Sequence, residues 1–206
     1  MTDGLSESVS VRTATPADAV AFADLAMMAS DPLYSLLFGR GAHRILQHMC
    51  RHPRTLWSHD KAYFAVLGEQ TAGMIQGFDY LQQQAEHLHT LWAFLRRIKC
   101  RLPSVLLDSL FIPRWCSKAR PGEYYILHLA VYPGFRRRGI AGSLLRHAET
   151  IARYRGCEAI SLDASSADPV ALGLYKKTGY LLEKEAPIRL LRHKLGAICR
   201  LRKLLP

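Results

Sequence analysis

The amino-acid sequence predicts a single α/β domain: a mixed, twisted sheet flanked by helices, with a helical insertion between its third and fourth strands. Three observations lead there. The chain has 206 residues, close to one domain plus an insertion at roughly 150 residues per domain. Strand-like and helix-like patterns alternate along it, and Gly or Pro marks most of the changes. Finally, Tyr124-Tyr-Ile-Leu-His-Leu-Ala-Val-Tyr132 is apolar on both alternating sets of positions, the pattern of a strand covered on both faces.

Residues 1–8 read as a frayed leader, and residues 9–12 as a short strand. Thr15 and Pro16 supply an N-cap and a first-turn proline for an apolar helix reaching about Ala29, which Asp31-Pro32 breaks. A second helical pattern covers residues 33–52. Two apolar runs, 62–67 and 72–80, flank Gly68-Glu-Gln and form a hairpin. From Gln82 to Arg120 the pattern turns helical and basic, with Pro103 and Pro113 as breaks. That is long for a connection, so residues 82–122 are read as an inserted lid or helical element. After the strand at 124–132, Pro133-Gly134 ends it. The following helix puts Ile140, Leu144, Ala148 and Ile151 on one face, with Gly156 as C-terminal cap. Ile160-Ser-Leu-Asp163 is the next strand, Asp168-Pro169 opens another helix that Gly179 closes, and residues 180–190 form a final strand.

Composition narrows the function classes. The chain is 49% hydrophobic and 22% charged, which excludes disordered and fibrous proteins. It has no uninterrupted apolar run of about 18 residues, the length a membrane-crossing helix needs. The first residues carry acids where a secretory signal is basic, so a cytoplasmic location is the expectation. Five cysteines, odd in number and without a CxxC pair, argue against a disulfide framework and a zinc ribbon. His48 and His52 lie four apart on a helical pattern and His87-x-His89 follows, but no third-ligand spacing makes them a metal site.

Net charge is the unusual bulk property, at +11. The cations bunch at 96–101 (Arg96, Arg97, Lys99, Arg101) and in a basic C-terminal tail at 192–206 (Arg192, Lys194, Arg200, Arg202, Lys203). A positive field attracts nucleic acid, anionic lipid or a polyanionic small ligand without choosing among them. The tail alternates apolar and basic residues and reads as an amphipathic helix, docked on its own domain or a partner subunit. Contact with nucleic acid or an anionic membrane is the less favoured alternative.

The chemistry concentrates where the covered strand gives way to Arg136-Arg137-Arg138-Gly139-Ile140-Ala141-Gly142-Ser143 and then to a helix. Glycines at a helix start let a phosphate approach the backbone, where first-turn N–H groups and the positive end of the helix dipole hold it. Arginines at the mouth add charge-assisted bonds. Arg136-x-x-Gly139-x-Ala141 fits the pattern Gln/Arg-x-x-Gly-x-Gly/Ala. About thirty residues later Asp168-Pro-Val-Ala171-Leu-Gly-Leu-Tyr175 and Gly179-Tyr180 follow in order. With Leu129-Ala130-Val131 before the loop, residues 124–180 resemble the cofactor-binding half of the GNAT superfamily of N-acetyltransferases. Residues 1–80 fit that superfamily loosely, and residues 82–122 match nothing in it.

The resemblance implies a mostly antiparallel GNAT-type sheet over one N-acetyltransferase domain, residues 1–206. It implies acetyl-CoA, or another acyl-CoA, as co-substrate, an amine as acceptor, and no metal. Residues 136–143 would then cradle the pyrophosphate. Pantetheine would insert like an extra strand beside Leu129, Ala130 and Val131, with the Val131 N–H near the thioester carbonyl, where charge develops during attack. Tyr175, protonated at neutral pH, would donate to the departing thiolate. Where some members carry a glutamate base this chain has Tyr125, so His128, Asp163 or a water relay is left to take the amine's proton. Asp168 replaces the superfamily's usual Asn; it can cap the helix but offers no amide N–H₂. A homodimer is a further expected partner. The competing class is a non-catalytic module on the same fold, holding CoA, nucleic acid or lipid without turnover.

Overall fold

A computed structural model describes residues 9–98, 117–190 and 193–206. Val9–Thr13 (β1) pairs antiparallel with Ala62–Leu67 (β2), β2 with Gln70–Asp79 (β3), and β3 with Glu123–Val131 (β4). β4 runs parallel to Ala159–Ser165 (β5). Leu181–Leu190 (β6) and His193–Leu204 (β7) pair antiparallel, and β7 lies between β5 and β6. The sheet therefore has seven strands in the order β1-β2-β3-β4-β5-β7-β6. It is mixed and mostly antiparallel, as expected. Of the expected features, the leader at 1–8, the breaks at Pro103 and Pro113, and Lys99, Arg101 and Arg192 lie outside the described residues.

Helices cover both faces. Ala19–Ala29 (α1), Leu33–Phe38 (α2) and Ala42–Arg51 (α3) lie on one side. There Phe22, Leu25, Phe38 and Leu46 pack on Phe64 and Met74 of the sheet. The chain enters α1 through a short 3-10 turn, Pro16–Asp18, where the Asp18 carboxylate accepts from the Thr15 N–H at 2.7 Å. Ile140–Tyr154 (α5) and Pro169–Lys177 (α6) lie on the other side. Ile140, Leu144, Leu145 and Ala148 of α5 meet Ile75, Ile126, Ile160, Leu162 and Leu201 there.

The connection from β3 to β4 is helical where it is described. Tyr80–Ile98 (α4) is tied down along its length rather than hung as a lid. The Gln83 side-chain oxygen accepts from the Ala119 N–H at 2.7 Å, and Thr90 Oγ1 accepts from the Leu56 N–H at 2.9 Å. The buried Lys61 ammonium lies 2.8 Å from Glu86. Phe94 stacks on Phe38, centroids 5.4 Å apart, and meets Trp57 edge-on at 5.0 Å.

The C-terminal segment corrects the expectation of a docked amphipathic helix. It is strand β7, so the strand at 180–190 is not the last. The physical reason is a period of two: Cys199 and Leu201 enter the core beneath α5, while Arg200 and Arg202 point to the opposite face. The cations are not a solvated patch either. Arg200 Nε lies 2.5 Å from Asp163, Arg202 Nε 2.6 Å from Glu123, and Lys203 Nζ 2.8 Å from Glu149. Engaged in this way, Arg200, Arg202 and Lys203 offer little to a polyanion.

Candidate active site

β4 and β5 begin side by side and then part. Their pairing runs from Glu123↔Ala159 to Ile126↔Leu162 and stops, while β4 continues along β3 to Val131 and β5 continues along β7 to Ser165. At the parting point β4 carries a bulge. Gln76 pairs with His128 and Gly77 with Ile126, so Leu127 is the extra residue. A bulge bends its strand and steepens the local twist. Gly77 leaves room for the bend, since a Cβ there would sit 2.5 Å from the Tyr124 ring and 2.6 Å from the Tyr125 carbonyl oxygen.

Beyond the bulge the backbone of β4 faces the opening. The Tyr132 N–H donates to the Ala72 carbonyl at 2.9 Å, on the β3 side. N–H directions alternate along a strand, so Ala130 also points to β3, while Leu129 and Val131 point into the gap that β5 has left. The Val131 carbonyl, on that same side, accepts from Arg136 Nε at 3.1 Å.

The loop after β4 ends at the same opening. A 3-10 turn at Pro133–Phe135 leads into exposed Arg136, Arg137 and Arg138. Arg137 and Gly139 both take left-handed conformations, at φ 63° and 77°. Gly139 is the N-cap of α5, and the Ser143 N–H is the first to bond back, to the Gly139 carbonyl at 3.0 Å. The N–H groups of Ile140, Ala141 and Gly142 precede any intrahelical partner, at the positive end of a helix of 15 residues. Unpaired N–H groups beside three exposed arginines have the chemistry to hold an anion. Arg138 lies over the Phe135 ring at 5.8 Å.

On the α5–α6 side, Asp168 caps α6 through its carboxylate, which accepts from the Ala171 N–H at 2.9 Å, as expected. Seven residues on, Tyr175 is buried against Tyr180, ring centroids 6.0 Å apart. Burial raises its hydroxyl well above the usual phenol range, so the group keeps its proton. Among the described residues the Tyr175 hydroxyl has no hydrogen-bond partner.

The two side chains expected as candidate bases are wired elsewhere. His128 is 1% exposed, with Nε2 2.6 Å from the Tyr34 hydroxyl and Nδ1 2.6 Å from Gln76 Oε1. The end groups set the direction of every proton. Trp57 Nε1–H can only donate, and does so to the Tyr34 oxygen at 3.2 Å; the Leu56 carbonyl can only accept, and takes the Gln76 Nε2–H at 3.1 Å. Between them His128 must carry its proton on Nδ1, and its Nε2 lone pair accepts from Tyr34. Burial pushes its pKa down to about 3. A proton taken up at Nε2 would meet the Tyr34 O–H, and an amide cannot pass a proton on, so the wire suits a structural tie better than a base.

Asp163 is committed as fully. Arg200 Nε and Nη2 donate to its two oxygens at 2.5 and 3.2 Å, and the Tyr125 hydroxyl and the Ser117 N–H donate to Oδ2 at 2.9 and 2.7 Å. The Arg200 guanidinium lies over the Tyr125 ring at 5.0 Å. This buried cluster braces β4, β5 and β7 at the parting point.

Sequence reading missed Tyr34, Trp57 and Gln76. Gln76 had a signal, a lone amide within Met74-Ile-Gln-Gly-Phe78. Tyr34 had none, because its contact with His128 spans 94 residues of chain.

Comparisons with known proteins agree with this fold. The sequence profile described as the Acetyltransferase (GNAT) family matches residues 37–180. A solved structure of an acetyltransferase superposes with a TM-score of 0.68 at 20% identity, covering 96% of this chain and 100% of the other. An N-acetyltransferase from Staphylococcus aureus Mu50 gives 0.65 at 22%, covering 94% and 99%. The Thermoplasma acidophilum PaiA N-acetyltransferase, solved with coenzyme A, gives 0.54 at 14%, covering 96% and 99%.

Proposed function

The chain belongs to the GNAT acetyltransferase family, whose general reaction is acetyl transfer, and from that premise we propose that it moves the acetyl group of acetyl-CoA directly to an amine in a ternary complex. The observation that carries the reading is the opening between β4 and β5, which ends at the N-terminus of α5. One ligand can lie along both: phosphates on Ile140–Ser143 and Arg136–Arg138, and an amide-bearing arm against Leu129, Ala130 and Val131.

The steps follow from these groups. The neutral amine adds to the thioester carbonyl, the Val131 N–H steadies the oxygen as it gains charge, and the carbon–sulfur bond breaks. As the intermediate collapses, Tyr175 gives its proton to the departing thiolate and regains one, through water, from the nitrogen that becomes the amide; its raised pKa keeps it protonated at neutral pH between turnovers. Water takes the ammonium proton before attack, since His128 and Asp163 have their acceptor sites engaged. Asp168 acts as the α6 cap and holds Tyr175 in place through the helix.

A thermal-shift titration with acetyl-CoA tests the donor site. At a hundredfold excess over Kd it should add about 2.7 kcal/mol of stability. Gly139→Glu, which places an acid in the cradle, should remove that gain. In a screen of amine acceptors followed by thiol release, Tyr175→Phe should lower kcat by about tenfold to a hundredfold with CoA affinity unchanged. Unchanged kcat would take Tyr175 out of the mechanism, and no stabilisation by any CoA would overturn the donor assignment.

A further inference from the structure

On the face of the sheet opposite α5, beside the point where β4 and β5 part, lies a hollow of about 330 Å³. That is the small end of the range for ligand pockets, room for a small molecule rather than a folded chain. Tyr80 and Gln84 of α4 wall one side, residues 118–121 a second, and Glu183 and Lys184 of β6 a third, with Arg200 of β7 beneath. Arg200 joins the hollow to the parting point. Its guanidinium holds Asp163 and covers the Tyr125 ring, and its Nη1 donates to the Lys118 carbonyl at 2.9 Å. β6 carries a bulge here: Leu182 pairs with Leu201 and Lys184 with Arg200, so Glu183 is the extra residue. Glu183 and Lys184, adjacent in sequence, therefore both reach the hollow.

The charges around it do not balance. Glu183, the acid in the lining, accepts from Arg120 on both oxygens, and that pairing holds its carboxyl below the usual carboxylate range. Arg120 also reaches Glu123, and Arg200 is taken up by Asp163. Lys118 and Lys184 flank Arg200, and among the described residues neither forms an ion pair. We infer that this hollow holds the anionic end of the amine acceptor: the substrate is a small amine carrying a carboxylate, gripped between Lys118 and Lys184, with its nitrogen reaching the opening between β4 and β5. The inference rests on the acetyl-transfer reading above. The donor's phosphates would sit at the N-terminus of α5, on the far face of the sheet, so an acceptor seated here approaches without displacing them. The nitrogen gains the acetyl group, the thiolate leaves with the Tyr175 proton as above, and the carboxylate is unchanged. Its part is a charge-assisted grip that orients the amine. A diamine would instead bring a second cation against the two lysines. Gln84, Lys118 and Arg120 fall within residues 82–122, the stretch that matches nothing in the superfamily, so this selection is particular to this chain.

A series of ω-amino carboxylates, 4-aminobutanoate, 6-aminohexanoate and 8-aminooctanoate, each beside its carboxamide, tests this on the full chain by thiol release from acetyl-CoA. The carboxamide keeps the size and the reacting nitrogen and removes the charge. At the best chain length the carboxylate should show a kcat/KM about tenfold or more above its carboxamide. Lys118→Ala and Lys184→Ala should each raise KM for the carboxylate by about tenfold, acting on KM far more than on kcat, and on the carboxylate far more than on the carboxamide. Lys184→Glu should shift the preference toward the diamine of the same length. All three variants should keep the wild-type thermal shift with acetyl-CoA. Calorimetry of 6-aminohexanoate against the CoA-saturated protein reads the hollow without turnover. Carboxamides or diamines preferred by the wild type would overturn the inference. So would a carboxylate preference indifferent to both lysines, or a series in which no carboxylate binds or reacts. In each of those cases an intact acetyl-CoA shift leaves the donor reading standing, whereas no shift with acetyl-CoA would overturn that reading and this inference together.

Discussion

Helices α4 and α5 lie against opposite faces of one sheet and are built on opposite plans. α5 buries Ile140, Leu144, Leu145, Ala148 and Ala152 and shows Arg146 and Arg153 to water. Its apolar stripe tells which way it faces. α4 buries Gln83, Thr90 and Ala93 and leaves Leu81, Leu88 and Trp92 outside. The difference extends to the sheet beneath them. The α5–α6 face is packed by apolar side chains, whereas the other face carries the hydrogen-bonded run from Trp57 through Tyr34, His128 and Gln76. A helix held by area is indifferent to the identity of any one contact. A helix held by hydrogen bonds depends on each of them, since a buried polar group left unpaired costs more than the bond contributes.

The comparison breaks most visibly at paired leucines. Leu144→Ala in α5 should cost about 2–5 kcal/mol in urea unfolding, through lost burial and a residual cavity. Leu88→Ala in α4 should change the unfolding free energy of the monomer by less than about 0.5 kcal/mol. Equal costs would mean that α4 is not oriented as described.

The polar face should respond to acid, and the sign follows from His128. Its pKa is lower in the folded chain, about 3, than its ordinary 6.5. Unfolding therefore takes up a proton below that ordinary value, and stability falls as pH drops from about 6.5 toward 3. At pH 5 the loss from this one group is about 2 kcal/mol. Urea midpoints for wild type and His128→Gln between pH 7 and 5 would read it, and parallel slopes would remove His128 as the source.

A third substitution sharpens the contrast within α4 itself. Thr90→Val keeps the side chain's shape but withdraws the acceptor of the Leu56 N–H, and should cost about 1–2 kcal/mol. That exceeds the loss of three side-chain carbons in Leu88→Ala on the same helix.

Much of the fold was legible, and its failures have physical causes. The strands at 124–132 and 160–163 and the helix after Gly139 stood out because burial on a defined face imposes a period. α4 was legible as a helix but not in its sidedness, because both faces repeat at helical spacing and only tertiary contacts choose between them. β7 was misread because residues 194–205 carry leucines and cations at spacings that serve a helix as well as a strand. The deciding residue, Arg200, is a cation buried at 2% exposure, which no hydropathy pattern anticipates. The arginine-glycine loop at 136–143 was visible as a motif, being contiguous. The parting of β4 and β5 left no trace in side chains, because backbone groups make it.

The bulge at Leu127 has a consequence for the whole of β4. Tyr124 and Ile126 lie in the α5 core, and so do Leu129 and Val131, although their numbers differ in parity. Leu127 and His128, adjacent in sequence, share the opposite side. The strand thus changes phase midway, as a sentence might slip by one letter and still be read. A regular strand of the same nine residues would send His128 into the α5 core and turn Leu129 and Val131 toward α1. One residue out of step lets a single strand satisfy two cores and still face the opening with the right backbone groups.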